Sequence, residues 1–316
     1  MKEIIEIHSN NEESFRAISS SIDPSIFFLI TSKTVKRYDI ENRKLEELHK
    51  VTKNYFTSID INNKNEIILG HLNGSISLID KKNNIRYINK TFFKIRKKEV
   101  KKISASKNND FFAACFEDSD IIKLYCSFGL IKSIKVKKKI IDIKFEYSSI
   151  LIICYDEEIK NHGYNYLFYR WYFKINELEF LFNAKNLKYK YYCGTLPKKR
   201  ILLNNPFNPK NEFGIYCYRG KLLKRFKSEK KINFEKLYNY DIYRNELLLC
   251  FYDSILIIDL NKEEVKAKQL ISLPRNIKYD IYDSGEFGLI NEKYIIYGGL
   301  YTIKIYNKNY ILNDSY

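Results

Sequence analysis

Residues 55–89 set the pattern that the rest of the chain repeats. YFTSIDI (55–61) alternates apolar and polar positions and is rich in aromatic and β-branched residues, which predicts a strand. NNKN is turn chemistry, and EIILGHL (66–72) predicts a second strand. Asn73-Gly74 suits a two-residue type I′ hairpin, because both central positions of that turn need φ > 0. SISLID (75–80), the turn KKNN and IRYIN (85–89) complete four short antiparallel strands, a to d.

The same grammar recurs. FRAISS, SIFFLIT, TVKRYDI and KLEELH precede this unit; VKKISA, DFFAACF, IIKLYC and LIKSIKV follow it. KLYNYDI, ELLLCFY, SILIIDL and EVKAKQL form another set, and the last unit runs from YDIYDS or GEFGLI through KYIIYGG and YTIKIY. Strand c ends on an apolar or aromatic residue followed by a small polar one: Tyr38-Asp39, Ile79-Asp80, Tyr125-Cys126, Tyr216-Cys217, Ile258-Asp259 and Tyr306-Asn307. Successive marks are 41, 46, 91, 42 and 48 residues apart. The double gap holds YLFYRWYF (166–173) near its midpoint, which supplies the missing copy. Seven units of about 45 residues, four strands each, predict an all-β propeller.

A four-stranded unit of this kind cannot cover both of its faces alone, so the units must stack around a ring. The approximate blades are 12–50, 51–94, 95–139, 140–184, 185–232, 233–272 and 273–316 of one domain. EIIEI (3–7) stands before the first unit and can clasp the last; YILND (310–314) competes for that place. A pair of β-sandwich domains is the competing architecture, and it would not require this period.

IILGHLNGSISLID resembles a WD40 repeat, with Ile79-Asp80 where the Trp-Asp dipeptide falls. Tyr38-Asp39 and Ile258-Asp259 match that position more loosely, and His71 is not at the family's Gly-His position before strand a. The resemblance implies a degenerate WD40-like seven-bladed β-propeller without the family's hydrogen-bonded Asp-His-Ser/Thr-Trp set. It also implies a non-catalytic scaffold that holds protein partners in a larger complex.

The formal charge of +17, from 55 Lys and Arg against 38 acids, favours anionic partners. The dominance of Lys, Asn, Ile, Tyr and Phe equally fits A/T-rich codon usage. On the propeller, b–c and d–a connections share one face, and a–b and c–d turns share the other. Lys97, Lys98, Lys101 and Lys102 in RKKEVKK (96–102) read as the link of units two and three. Lys135, Lys137, Lys138 and Lys139 in KSIKVKKK (132–139) cover strand d of unit three and its link to unit four. Lys188 and Lys190 in KNLKYK (185–190) link units four and five. Lys221, Lys224, Arg225, Lys227, Lys230 and Lys231 in KLLKRFKSEKK (221–231) cover strand d of unit five and its link to unit six. The long b–c insertions DEEIKNHGYN (156–165) and NNPFNPKNE (204–212) share that end. A basic arc on one face follows, suited to RNA in a ribonucleoprotein assembly or to an acidic partner. Lysines on outer strands also block edge-to-edge aggregation.

The remaining chemistry is sparse. Cys115, Cys126, Cys154, Cys193, Cys217 and Cys250 form no C-x-x-C pair and mostly sit in apolar runs, as buried free thiols do. His8, His49, His71 and His162 are scattered over separate units. Asp118 with Asp120, and Glu157 with Glu158, read as solvated turn acids. No catalytic or phosphate-loop motif appears, so no enzyme activity, cofactor or metal is expected. YRGK (218–221) lacks the second adjacent arginine of the Phe-Arg-Arg-Gly motif of phosphoinositide-binding propellers, a third function class. No run approaches ~18 consecutive apolar residues, and the charged start is no signal peptide. A cytoplasmic or nuclear protein with no call for self-association is the expectation.

Overall fold

The computed structural model describes residues 3–9, 14–89, 98–156, 164–187, 193–196, 200–204, 212–227, 237–251, 254–262, 264–270, 275–276, 281–282, 287–299 and 301–309. Within them, seven four-stranded antiparallel sheets form a β-propeller. Blade 1 is Phe15–Ser20, Ile26–Thr31, Thr34–Asp39 and Lys44–Lys50. Blade 2 is Phe56–Ile61, Ile67–His71, Ile76–Ile79 and Ile85–Asn89. Blade 3 is Val100–Ala105, Phe112–Phe116, Ile121–Cys126 and Gly129–Lys135. Blade 4 is Lys139–Phe145, Ile150–Asp156, Tyr164–Tyr172 and Glu177–Leu187. Blade 5 is Cys193–Leu196, Arg200–Asn204, Glu212–Cys217 and Leu222–Lys227. Blade 6 is Leu237–Tyr243, Glu246–Phe251, Ser254–Asp259 and Glu264–Leu270.

Blade 7 takes Phe287–Ile290, Tyr294–Gly298 and Thr302–Asn307 from the end of the chain, and Glu3–His8 from its start. The N-terminal strand pairs antiparallel with Thr302–Asn307, and its Ile7 is buried in the seam with blade 1. The ring is therefore closed by an exchange between the two ends of the chain. GEFGLI supplies the inner strand of this blade, whereas Ile281–Tyr282 pairs with Arg275–Asn276 in a separate small sheet. YILND lies outside the described residues.

Each seam between neighbouring blades has its own apolar cluster. Strand b of blade 6 shows why. Leu247 and Leu249 pack toward blade 5, and Leu248 and Cys250 pack toward blade 7. A middle strand has both faces covered, so its sequence reads as an unbroken apolar run, LLLCF. Burial pushes the Cys115 and Cys154 thiols up to about 12, and both pack in the seam of blades 3 and 4. These thiols and Cys250 are buried and free.

The small polar residue that ends strand c caps the turn into strand d. Asp39 Oδ1 accepts the Asn42 N–H at 3.0 Å, and Asp80 Oδ1 accepts those of Lys82 and Asn84 at 2.8 and 2.9 Å. Asp259 does the same for Asn261; in blade 7, whose strand d comes from the N-terminus, Asn307 instead caps the Asn309 N–H after strand c. Trp171-Tyr172 fills this register in blade 4; Trp171 is buried, and its indole N–H donates to Asn176 Oδ1 at 3.2 Å.

The turn at Asn73-Gly74 differs from the expected type I′ hairpin. His71 N–H donates to Ser75 O and Gly74 N–H donates to His71 O, so the loop has three residues, Leu72 to Gly74. Only Gly74, with φ 76°, is left-handed there. The side-chain oxygen of Asn73 caps the Ser75 N–H at 3.0 Å, a local bond that replaces the second left-handed residue.

Candidate functional site

The inner strands surround a central channel of about 1350 Å³, lined by residues of blades 1 to 4, 6 and 7 among those described. A bulge near the start of the inner strand recurs in blades 1, 2, 3, 4 and 6, and polar side chains follow it. Three of them reach across a seam to a backbone N–H of the next inner strand. Asp60 accepts from Ala105 at 2.8 Å, Ser104 from Phe145 at 2.8 Å, and Asp241 from Ile290 at 2.9 Å. Ser19 Oγ donates to Asp60 at 3.4 Å from blade 1. Lys107 adds an ion pair to Asp60 at 3.2 Å, and Lys102 stands 3.9 Å from Asp142. Asp142, foremost, holds the Lys102 ammonium above its ordinary pKa; burial pushes the Asp241 carboxyl up. Sequence reasoning found no recurring set at the inner strands. The signal is Ser19, Asp60, Ser104 and Asp241 at one register position.

At the a–b/c–d mouth of the channel, Arg170 is 5% exposed and lies between the rings of Tyr218 at 4.3 Å and Tyr172 at 5.5 Å. Its Nη1 donates to Tyr172 Oη at 2.7 Å, and its Nε is 3.5 Å from Glu146 Oε2. The Tyr218 hydroxyl donates to Glu146 from blade 5, and burial, then that carboxylate, pushes the phenol far up. The motif YRGK therefore begins with a buried clamp residue. Among the described residues, no group of three or more His, Cys, Asp or Glu side chains is placed to hold a metal ion.

The basic stretches separate in space. Lys98 donates to the Asp118 carbonyl, Lys139 pairs with the Asp118 carboxylate, and Lys135 pairs with Asp120 at 3.3 Å. Lys137 is exposed at φ 62° beside Lys138, in the same cleft as Asp118 and Asp120. The two turn acids expected to be solvated thus answer the lysines of the predicted arc. Lys101 and Lys102 lie on the inner strand of blade 3, because the strand begins at Val100; Lys101 pairs with Glu117 at 3.4 Å. Lys224, Arg225 and Lys227 follow the outer strand of blade 5. Lys221 instead sits in the c–d turn on the opposite face, since the strand starts one residue later. Lys97, Lys188, Lys190, Lys230 and Lys231 lie outside the described residues, as does most of each long b–c insertion.

The opposite face carries a sector the charge pattern did not reveal. Phe128 is 91% exposed, Tyr147 79% and Ile175 70%. Phe128 and Ile175 occupy the c–d turns of blades 3 and 4, and Tyr147 the a–b turn of blade 4. The legible signal was an apolar residue at a turn tip, in CSFG and FKINE, where polar residues are the rule.

No family profile and no curated protein matches the chain. Its fold is similar to the WD40 β-propeller domain of Doa1, with 11% identity over 97% of this chain and 96% of that one, at a TM-score of 0.67. It is similar also to a chain of the Mitotic Checkpoint Complex, with 8% identity over 96% and 91% of the two, at a TM-score of 0.68. At these identities the likeness is one of fold, and that fold is a seven-bladed WD40-like β-propeller.

Proposed function

We infer that the chain is a non-catalytic interaction propeller, a rigid ring that holds protein partners in a larger assembly of the cytoplasm or nucleus. The carrying observation is the use made of the channel polar groups. Asp60, Ser104 and Asp241 accept a neighbouring blade's N–H, and Lys102, Lys107 and Arg170 face carboxylates. Groups engaged in holding blades together stiffen the ring and leave its loop faces for contact. Affinity capture of the intact chain from its native cell, followed by mass spectrometry, tests this reading. Stoichiometric partners are expected; recovery of the chain alone would overturn it.

A second reading, an RNA-associated subunit, draws on the net charge and on exposed Lys137 and Arg225. Asp118 and Asp120 weaken it by neutralising Lys139 and Lys135. Binding through several phosphates falls steeply with salt. Charge reversal at Lys137, Lys138, Lys139, Lys224 and Arg225 should abolish it, while reversal at Lys81 and Lys82 in a c–d turn should not.

A further inference from the structure

We propose that the a–b/c–d face of blades 3 to 5 docks an acidic segment with apolar anchors, presented by another protein. This rests on the reading of the chain as an interaction propeller and names the chemistry of one partner.

Three observations carry it. The apolar tips Phe128, Tyr147 and Ile175 project from turns of adjacent blades, and Lys132 Nζ bonds the Phe173 carbonyl at 3.0 Å, which ties blade 3 to the turn that bears Ile175. Phe173 itself is 3% exposed, with its ring 5.8 Å from Phe111 and 5.4 Å from Phe145, so the tips stand on a packed aromatic base. Large apolar side chains exposed together at the turns of neighbouring blades, on a rigid base, suit a contact surface.

The cations beside these tips are available. Lys174, Arg219 and Lys221 are exposed in the c–d turns of blades 4 and 5, and none is paired with an acid among the described residues. On the other face, Lys139 and Lys135 are paired with Asp118 and Asp120. Charge open to an acidic partner therefore lies also on the side opposite the arc that the sequence suggested.

Elsewhere the same face offers an anionic bilayer mixed charge and no uniform positive surface. Its other c–d turns carry Asp39, Asp80 and Asp259, and N–H groups of the turn hold Asp39 and Asp80 ionised. A flat anionic surface laid on the ring would meet these acids interleaved with Arg43, Lys81, Lys82 and Lys262 of the same turns. A segment confined to blades 3 to 5 meets the apolar tips and the cations Lys174, Arg219 and Lys221; of the acids there, Glu146 and Glu179 already face Arg170, and Glu177 is exposed beside the Ile175 turn.

The test uses the full chain and a fluorescein-labelled peptide in which Asp and Glu alternate with Phe and Leu, read by anisotropy. The double variant Phe128→Ser/Ile175→Ser changes only exposed tips, and its melting curve checks folding. It should weaken peptide binding by about tenfold or more, as loss of two anchors does. The triple reversal Lys174→Glu/Arg219→Glu/Lys221→Glu should do the same and should reduce the salt dependence. Lys137→Glu/Lys138→Glu on the other face should leave binding unchanged. Loss confined to that last variant overturns the sector. So does tighter binding of polyuridylate, or of phosphatidylcholine–phosphatidylserine vesicles, than of the peptide. If native partners are captured yet the peptide does not bind, the sector falls and the interaction propeller stands; if no partner is captured, both fall.

Discussion

Asp60 Oδ2 stands 2.8 Å from the backbone nitrogen of Ala105, so a side chain of blade 2 takes the place of a ladder partner for blade 3. Lys107 from blade 3 returns to the same carboxylate. Asp60→Ala removes a charge-assisted bond and leaves the Ala105 N–H without its partner. A loss of about 2 kcal/mol is expected. Asp60→Asn keeps an acceptor and should lose less. Urea unfolding of the three proteins measures this, and equal midpoints would show that the seam does not depend on the bond.

Asp241 is held at the matching position between blades 6 and 7, but burial raises its pKa from the ordinary 3.8. Its contribution is therefore complete below 3.8 and disappears as pH rises through the folded value, above which the ionised carboxylate stands at a cost. Asp241→Asn can still accept from Ile290. The variant should equal or exceed the wild type in stability at neutral pH, and the difference should shift toward the wild type as pH falls. Thermal melts across that range decide it. A variant weaker than wild type by the same amount at every pH would remove titration from the account.

The ring was legible because its core repeats. The two-sided burial of LLLCF, IILGH and FFAACF follows from stacked blades, and the small polar residue ending strand c marks the turn into strand d in blades 1, 2, 3, 5 and 6. What escaped was long-range. The partner of Asp60 lies 45 residues away, and the clamp of Glu146 and Tyr218 spans 72. Lysine clusters suggested an arc, but Asp118 and Asp120 come from a different turn of the same blade, and only the fold brings them together. A run of charges reports composition; neutralisation depends on which turn folds beside it.

His71 offers a second pH dependence of opposite sign. Its Nδ1 bonds the Asn54 carbonyl at 3.0 Å, which fixes the proton there, so Nε2 accepts from Ser77 Oγ at 2.7 Å. Burial pushes the imidazole below its ordinary 6.5. The stability it brings is present above 6.5 and is lost as pH falls through the folded value. The wild type should lose melting temperature on acidification through this window more steeply than His71→Gln. Parallel curves for the two proteins would count against it.

Arg170 and Glu146 test whether the clamp is a matched unit. The guanidinium is 5% exposed, and its Nε and Nη2 have no hydrogen-bond partner among the described residues, although Nε lies within ion-pair distance of Glu146. The cation is thus held by two carboxylates, Glu146 and the more exposed Glu179 at 3.8 Å from Nη1, and by two aromatic faces more than by hydrogen bonds. Arg170→Met removes the cation and leaves Glu146 partly buried beside the Tyr218 hydroxyl. Removing one partner of a buried pair costs about 3 kcal/mol, because the other charge is left uncompensated. Arg170→Met with Glu146→Gln removes both charges and keeps an acceptor for Tyr218, so most of that loss should return. A double-mutant cycle in urea reads the coupling directly. Additive losses would mean that Arg170 supports blade 4 through its stacking on Tyr172 and Tyr218, with the ion pair contributing little to the seam with blade 5.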